Sequence, residues 1–266
     1  DKDRLSGAMD GVDYVIHATA LKQVPAAETN PCEAVKTNIV GAQNIIDTCI
    51  DKGVKRVVAL STDKAANPIN LYGATKLVSD KLFVAANMYT SDGRCRFACV
   101  RYGNVMGSRG SVIPWFFKLR ETGELTITDR RMTRFWITLE QGVEFVLNSL
   151  QRMQGGEIFV PKIPSMKIVD LAEVIAPECS LREIGIRAGE KLHEIMIPED
   201  DARHTHEYET FFCIYPEHYD WLELQDLRKE RKDTLPDGFT YSSNNNTCWL
   251  TEDEMRNMLK DQGFPL

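Results

Sequence analysis

The sequence predicts an α/β fold built on a doubly wound parallel sheet, with a smaller mixed α/β lobe attached. Three observations carry that reading. Short apolar runs recur near residues 13–18, 55–61 and 97–102, each short enough for a buried strand. Helix-periodic segments fill the two gaps between them, over residues 30–53 and 71–86. Strand, helix, strand, helix, strand with buried strands is the pattern of parallel pairing through right-handed crossovers. With 266 residues, 43% of them hydrophobic, the chain has material for one large domain and an appendage.

Taken in order, Asp13–Ala18 follows Gly11 and reads as a buried strand. One long helix is expected next. Asn30 is placed to cap it, Pro31 suits its first position, and Glu33 completes a box-like start. Val35, Ile39, Ala42, Ile46 and Cys49 then recur at helical spacing, and Gly53 supplies the stop. Lys55–Ser61 is the next strand, Leu71–Ala86 the second helix, and Phe97–Tyr102 the third strand. After Gly107 the texture changes. A helix from Leu139 is expected with a Thr138/Gln141 capping box, strands are expected at Ile158–Val160 and Glu183–Ile186, and a helix over Val169–Ala176 is stopped by Pro177. Residues 1–107 therefore read as a nucleotide-binding domain, to which parts of 139–165 return, and residues 108–266 mainly as a substrate lobe and tail.

A doubly wound nucleotide fold normally opens with a strand, a Gly-x-Gly-x-x-Gly turn and a helix, because backbone amides there cradle a pyrophosphate. No such turn occurs here: Gly103, Gly107 and Gly110 have the wrong spacing and lie too late. The expectation is a chain lacking its first two βα units, on the order of 60 residues, and on its own inactive.

A formal charge of −7 and a pI near 5.4 argue against nucleic acid as the main partner. Seven cysteines without a Cys-x-x-Cys pair read as scattered reduced thiols, and no run of some 18 apolar residues or signal peptide occurs, so a cytoplasmic protein is expected. His204-x-His206 lacks a matching ligand framework, so no metal is expected. Phe116-Phe117 and Phe211-Phe212 read as core, and Glu199–Asp201 as a solvated acidic turn.

The chemistry concentrates in Ser61-Thr62-Asp63-Lys64 and Tyr72-Gly73-Ala74-Thr75-Lys76. Tyr72 and Lys76, four apart, share a helix face, and an ammonium beside a phenol stabilises the phenolate as a base for alcohol oxidation. Thr62, Asp63 and Lys64 fall at the C-terminal end of a predicted parallel strand, where open α/β sheets place their ligands. An acid beside an amine suits one proton donor and one acceptor.

Residues 61–76 resemble the signature of the soluble, inverting UDP-N-acetylglucosamine 4,6-dehydratases, extended short-chain dehydrogenases with a Rossmann-like fold that open the pseudaminic acid pathway of flagellin glycosylation. Residues 17–25, 101–105, 131–136, 159–166, 189–194 and 241–246 also resemble family motifs, so the resemblance spans essentially the whole chain. Tyr72 stands where the membrane-anchored, retaining relatives carry methionine. The resemblance implies NADP as cofactor, UDP-N-acetylglucosamine as substrate and a homo-oligomer. It implies that Tyr72, helped by Lys76 and Thr62, removes the 4-hydroxyl proton, that Lys64 takes the carbon 5 proton, and that Asp63 protonates the leaving 6-hydroxyl. Lys22 would face sugar or cofactor, Asn104 the phosphates or N-acetyl group, Val105 the nicotinamide, and Arg109 and Arg187 the UDP. Two alternatives stay open: a nucleotide-sugar 4-epimerase, which needs no acid–base pair for carbon 6, and a non-catalytic remnant.

Overall fold

The structure is a computed structural model that describes residues 1–90, 93–216 and 235–266. In chain order the elements are α1 (Lys2–Ala8), β1 (Tyr14–His17), α2 (Val24–Thr29), α3 (Pro31–Val35), a π-helical turn (Lys36–Val40), α4 (Gly41–Lys52), β2 (Arg56–Leu60), a 3-10 turn (Asp63–Ala65), α5 (Leu71–Ala86) and β3 (Arg96–Val100). There follow β4 (Asn104–Val105), α6 (Val112–Arg120), β5 (Glu124–Ile127), β6 (Thr133–Ile137), α7 (Leu139–Arg152), β7 (Ile158–Pro161), β8 (Ser165–Lys167) and α8 (Ile168–Ile175). Last come β9 (Ser180–Glu183), β10 (Ile195–Ile197), α9 (Glu199–Ala202), β11 (Thr205–Glu207), β12 (Phe211–Ile214), β13 (Tyr241–Ser242) and α10 (Glu252–Asp261). Two compact units divide the chain: Asp1–Arg101, Phe145–Lys162 and Met196–Thr240 in the first, Tyr102–Glu144, Ile163–Ile195 and Tyr241–Leu266 in the second.

The first unit is built on a six-stranded sheet in the order β1-β2-β3-β7-β12-β11. Its first four strands are parallel, and β12 and β11 extend it antiparallel. The middle strands are buried, with Val57, Val58, Phe97, Ala98, Val100 and Val160 all inaccessible, as their continuous apolar runs require. β1 departs from the expectation of a buried strand. It is the terminal strand of the sheet, paired only with β2 among the described residues, and Tyr14 and Ile16 are 55% and 45% exposed. The return of Met196–Thr240 to this unit also differs from the expected division, which gave most of 108–266 to the lobe. All four residues of β12 are buried, and a run so short carries no periodicity that says which sheet it joins.

The expected long helix over 30–53 is three pieces. Its periodicity carries through the π-helical turn, which admits one extra residue and rotates Asn38 into the interior while Val35 is exposed. Asn30 does not cap it. Its side chain turns back to donate to the carbonyl of Ala26 (3.2 Å) and to the Thr29 hydroxyl (3.0 Å). Gly53 does end α4, at φ +71°. The acidic stretch at 199–201 forms the short helix α9, and Asp201 lies 3.4 Å from the guanidinium of Arg101.

The second unit holds a three-stranded sheet, β4-β6-β8, and the parallel pair β5-β9. Helices α6, α8 and α10 pack on a core that includes Ile113, Phe116, Leu125, Trp136, Leu171 and Leu259. The Thr138/Gln141 box is formed, each side chain accepting from the other's backbone N–H at 3.1 and 3.0 Å. The strand expected at Glu183–Ile186 instead spans Ser180–Glu183. Gly185 adopts φ +84° and Ile184 and Ile186 face solvent, so the ladder ends with the Ile184 N–H donating to the Ile127 carbonyl at 2.9 Å.

Candidate active site

The end of β2 and the start of α5 bring four polar side chains together. Beyond β2 the chain enters the 3-10 turn, capped by Thr62, whose hydroxyl accepts from the Lys64 N–H at 3.3 Å. That hydroxyl donates to Asp63 Oδ1 at 2.9 Å, and Lys64 Nζ donates to the same oxygen at 2.9 Å. Asp63 is 1% exposed, and its second oxygen, Oδ2, is buried without a hydrogen-bond partner. A buried carboxylate oxygen left unsatisfied inside protein is costly and points to a ligand group.

Helix α5 presents Tyr72 to this cluster. Asn70 caps the helix by accepting from the Gly73 N–H (2.8 Å), and Glu28 accepts from the Leu71 N–H (2.7 Å). Burial pushes the Tyr72 phenol up to about 12, while the Lys64 ammonium and the Thr62 hydroxyl pull it down and Asp63 and Asp80 push it up. The cation that pulls the phenol down in this structure is Lys64, from the turn after β2, a residue that the helical spacing of Tyr72 and Lys76 does not single out. Lys76 lies one turn further along the same face, 2% exposed, and its ammonium makes no hydrogen bond or ion pair among the described residues. Its charge, after burial, helps press His17 down to about 4. One more turn along, Asp80 accepts from the Ser61 hydroxyl (2.5 Å) and sits 3.5 Å from the Arg101 guanidinium.

Lys22 is exposed in the segment after β1. The residue before it is clamped by Asn38, which accepts from the Leu21 N–H (2.8 Å) and donates to the Leu21 carbonyl (3.1 Å) and to Thr75 Oγ1 (2.9 Å). Asn38, Glu28 and Gly73 were missed by sequence reasoning. A signal for Asn38 existed: a polar residue on the apolar face, three after Val35 and four before Ala42, needs a buried partner.

The second unit carries the other candidates. Asn104 and Val105 form β4, paired with Trp136 and Ile137, and Asn104 Oδ1 is buried without a partner. Arg109 is exposed between two glycines of positive φ, Gly107 and Gly110, and Arg187 is exposed in the loop after β9. Neither forms an ion pair among the described residues, leaving both guanidinium groups to solvent or ligand. The motif at 131–136 is instead fastened to the one at 189–194. Arg134 donates to the carbonyls of Lys191 and Leu192 (3.0 and 3.1 Å) and lies 3.6 Å from Glu190 and 3.8 Å from Glu194. Asn246 likewise donates to the Ile163 carbonyl (2.8 Å) and Ser165 Oγ (3.0 Å), so these stretches hold the lobe together.

The family described as polysaccharide biosynthesis protein matches residues 1–216. The chain belongs to that family. Among its relatives, an inverting UDP-N-acetylglucosamine 4,6-dehydratase from Campylobacter jejuni serotype O:2 is 58% identical over 275 residues, covering 99% of this chain and 81% of the relative. A UDP-glucose 4-epimerase from Rickettsia typhi is 44% identical over 202 residues, covering 74% of this chain and 59% of the relative. The X-ray structure of Pen from Bacillus thuringiensis superposes with a TM-score of 0.88 at 35% identity, covering all of this chain and 80% of that one. The Rossmann-like α/β fold of the extended short-chain dehydrogenases is therefore the fold of this member of the polysaccharide biosynthesis family.

Proposed function

We propose that the protein is a UDP-N-acetylglucosamine 4,6-dehydratase that inverts carbon 5. The observation that carries the reading is the Asp63–Lys64 pair, joined at 2.9 Å, with the Lys64 charge acting on the Tyr72 phenol. A phenol, an acid and an amine on one strand end and one helix start suit a reaction that oxidises one carbon and removes water across the next two. Tyr72 Oη takes the proton of the sugar 4-hydroxyl, with the Thr62 hydroxyl and the nearby ammonium favouring its ionised form. The 4-ketone acidifies the carbon 5 proton, which Lys64 Nζ takes after passing its own proton to Asp63 across their 2.9 Å hydrogen bond. Asp63 gives a proton to the departing 6-hydroxyl, its unpartnered oxygen being the free position for that contact.

A nicotinamide cofactor fits the residues present, because Lys76 is 2% exposed and its ammonium has no hydrogen-bond or ion-pair partner among the described residues. Lys76 and Tyr72 would hold it, with Val105 toward the nicotinamide. When bound, it supplies the acceptor of the carbon 4 hydride and its donor to carbon 6. NADP is the form the family resemblance favours. Asn104, Arg109 and Arg187 are assigned to the UDP-sugar, and Lys22 to the sugar or cofactor. On the same resemblance the product feeds pseudaminic acid synthesis, the compartment is the cytoplasm, and the chain works as a homo-oligomer. No helix among the described residues is long and apolar enough to cross a membrane.

The 4-epimerase relatives keep a second reading in view, since oxidation at carbon 4 is common to both. The test is product analysis with UDP-N-acetylglucosamine and NADP in deuterated water, using protein expressed from its full coding sequence. Dehydration gives a 4-keto-6-deoxy sugar carrying deuterium at carbon 5. An intact 6-hydroxyl and no label at carbon 5 would establish simple epimerisation instead.

A further inference from the structure

The loop that carries Asp63 and Lys64 lies directly against the first turn of α5. A Cβ built on Gly73 would sit 2.2 Å from the carbonyl oxygen of Lys64, 3.0 Å from its carbonyl carbon and 3.1 Å from Pro68 Cβ. The first distance is shorter than any real Cβ contact, and the atom met is backbone, which cannot swing aside as a side-chain tip would. The requirement is one of space, since Gly73 lies within a regular helix and outside the left-handed region. Other helical glycines lack it. A Cβ at Gly142 would meet nothing within 4 Å, and one at Gly41 only Lys36 O at 3.6 Å.

We propose that Gly73 is a positioning residue for the acid–base pair: its missing side chain lets the Lys64 carbonyl rest on the α5 backbone. That contact sets the separation between the Asp63–Lys64 side chains and the Tyr72 phenol. The inference rests on the reading of Asp63 and Lys64 as the elimination pair. Tyr72 is fixed from the other side, by α5 itself and by the apolar contacts of Ala27 and Ala34. A Cβ at position 73 therefore displaces the loop and leaves the phenol in place. Oxidation at carbon 4 and proton removal at carbon 5 become separable through a residue that touches neither reacting atom.

The experiment compares Gly73→Ala with wild type and with Gly142→Ala, again from the full coding sequence. Formation of reduced cofactor reports carbon 4 oxidation, and deuterium entry at carbon 5 with deoxy product reports elimination. Gly73→Ala is expected to lose elimination by about a hundredfold or more while oxidation changes by less than about tenfold, and Gly142→Ala to change neither. Asn70→Ala, which removes the helix cap without adding an atom near Lys64, should leave the ratio of the two steps unchanged. An unaltered ratio in Gly73→Ala overturns the inference. So does an equal loss in Asn70→Ala, which would trace the effect to fraying of the helix end, or a Gly73→Ala chain that cannot fold, which would make the contact a structural one. Failure of the wild type to make any deoxy product would instead remove the functional reading beneath it.

Discussion

Tyr72 is a phenol buried to 8% exposure whose proton the surroundings hold more tightly than water does. Burial is the largest influence on it and the Lys64 ammonium the largest counterweight, so the site is tuned by the same amine that later takes a proton. Tyr72→Phe removes the base and should cut carbon 4 oxidation by about 10²- to 10⁴-fold, measured as the rate of reduced-cofactor formation, with melting behaviour retained. Asp63→Asn keeps the size of the side chain and removes its acid. Water loss from carbon 6 should then fall by a similar factor while oxidation persists, so that a 4-keto sugar retaining its 6-hydroxyl accumulates in product analysis.

Elements bring those residues together, and some of that was legible in advance. The end of β2 and the start of α5 are local events, and the residues at 61–76 announce them, although the Asn70 cap was not read there. The spacing of Tyr72 and Lys76 put both on one face, yet it could not show that Lys64, from a separate loop, would pull the phenol down. Periodicity ran smoothly through residues 30–53 because an extra residue in a π-helical turn leaves no trace in an apolar pattern. Its consequence is the inward turn of Asn38, which ties the Lys22 segment to α5. The antiparallel return of β12 was illegible for another reason: partner choice between sheets is made by long-range packing. Two outcomes belong at this scale. Asn70→Ala should cost about 1 kcal/mol in unfolding free energy by denaturant titration. Asn38→Leu leaves the Leu21 N–H and carbonyl unpartnered inside the protein and should cost about 1–3 kcal/mol per lost group in the same titration.

At the scale of the whole molecule, stability should carry a signature of the buried ring under the site. His17 is 6% exposed, and burial, with the Lys76 charge second, lowers it from 6.5 to about 4. In the unfolded chain the imidazole binds a proton below about 6.5, while the folded one stays neutral until about 4. The unfolded state therefore holds more protons in that window, and stability falls as pH drops through it, by about 3 kcal/mol for this one group. His17→Gln should flatten that part of the unfolding curve between pH 6.5 and 4, whereas an unchanged slope would show that other groups produce it. The central claim concerns the pair at the mouth of the sheet, and Lys64→Ala tests it most directly. With UDP-N-acetylglucosamine in deuterated water, the account predicts that the variant still forms reduced cofactor but places no deuterium at carbon 5 and makes no 6-deoxy product. Deoxy-keto sugar formed at the wild-type rate would contradict it.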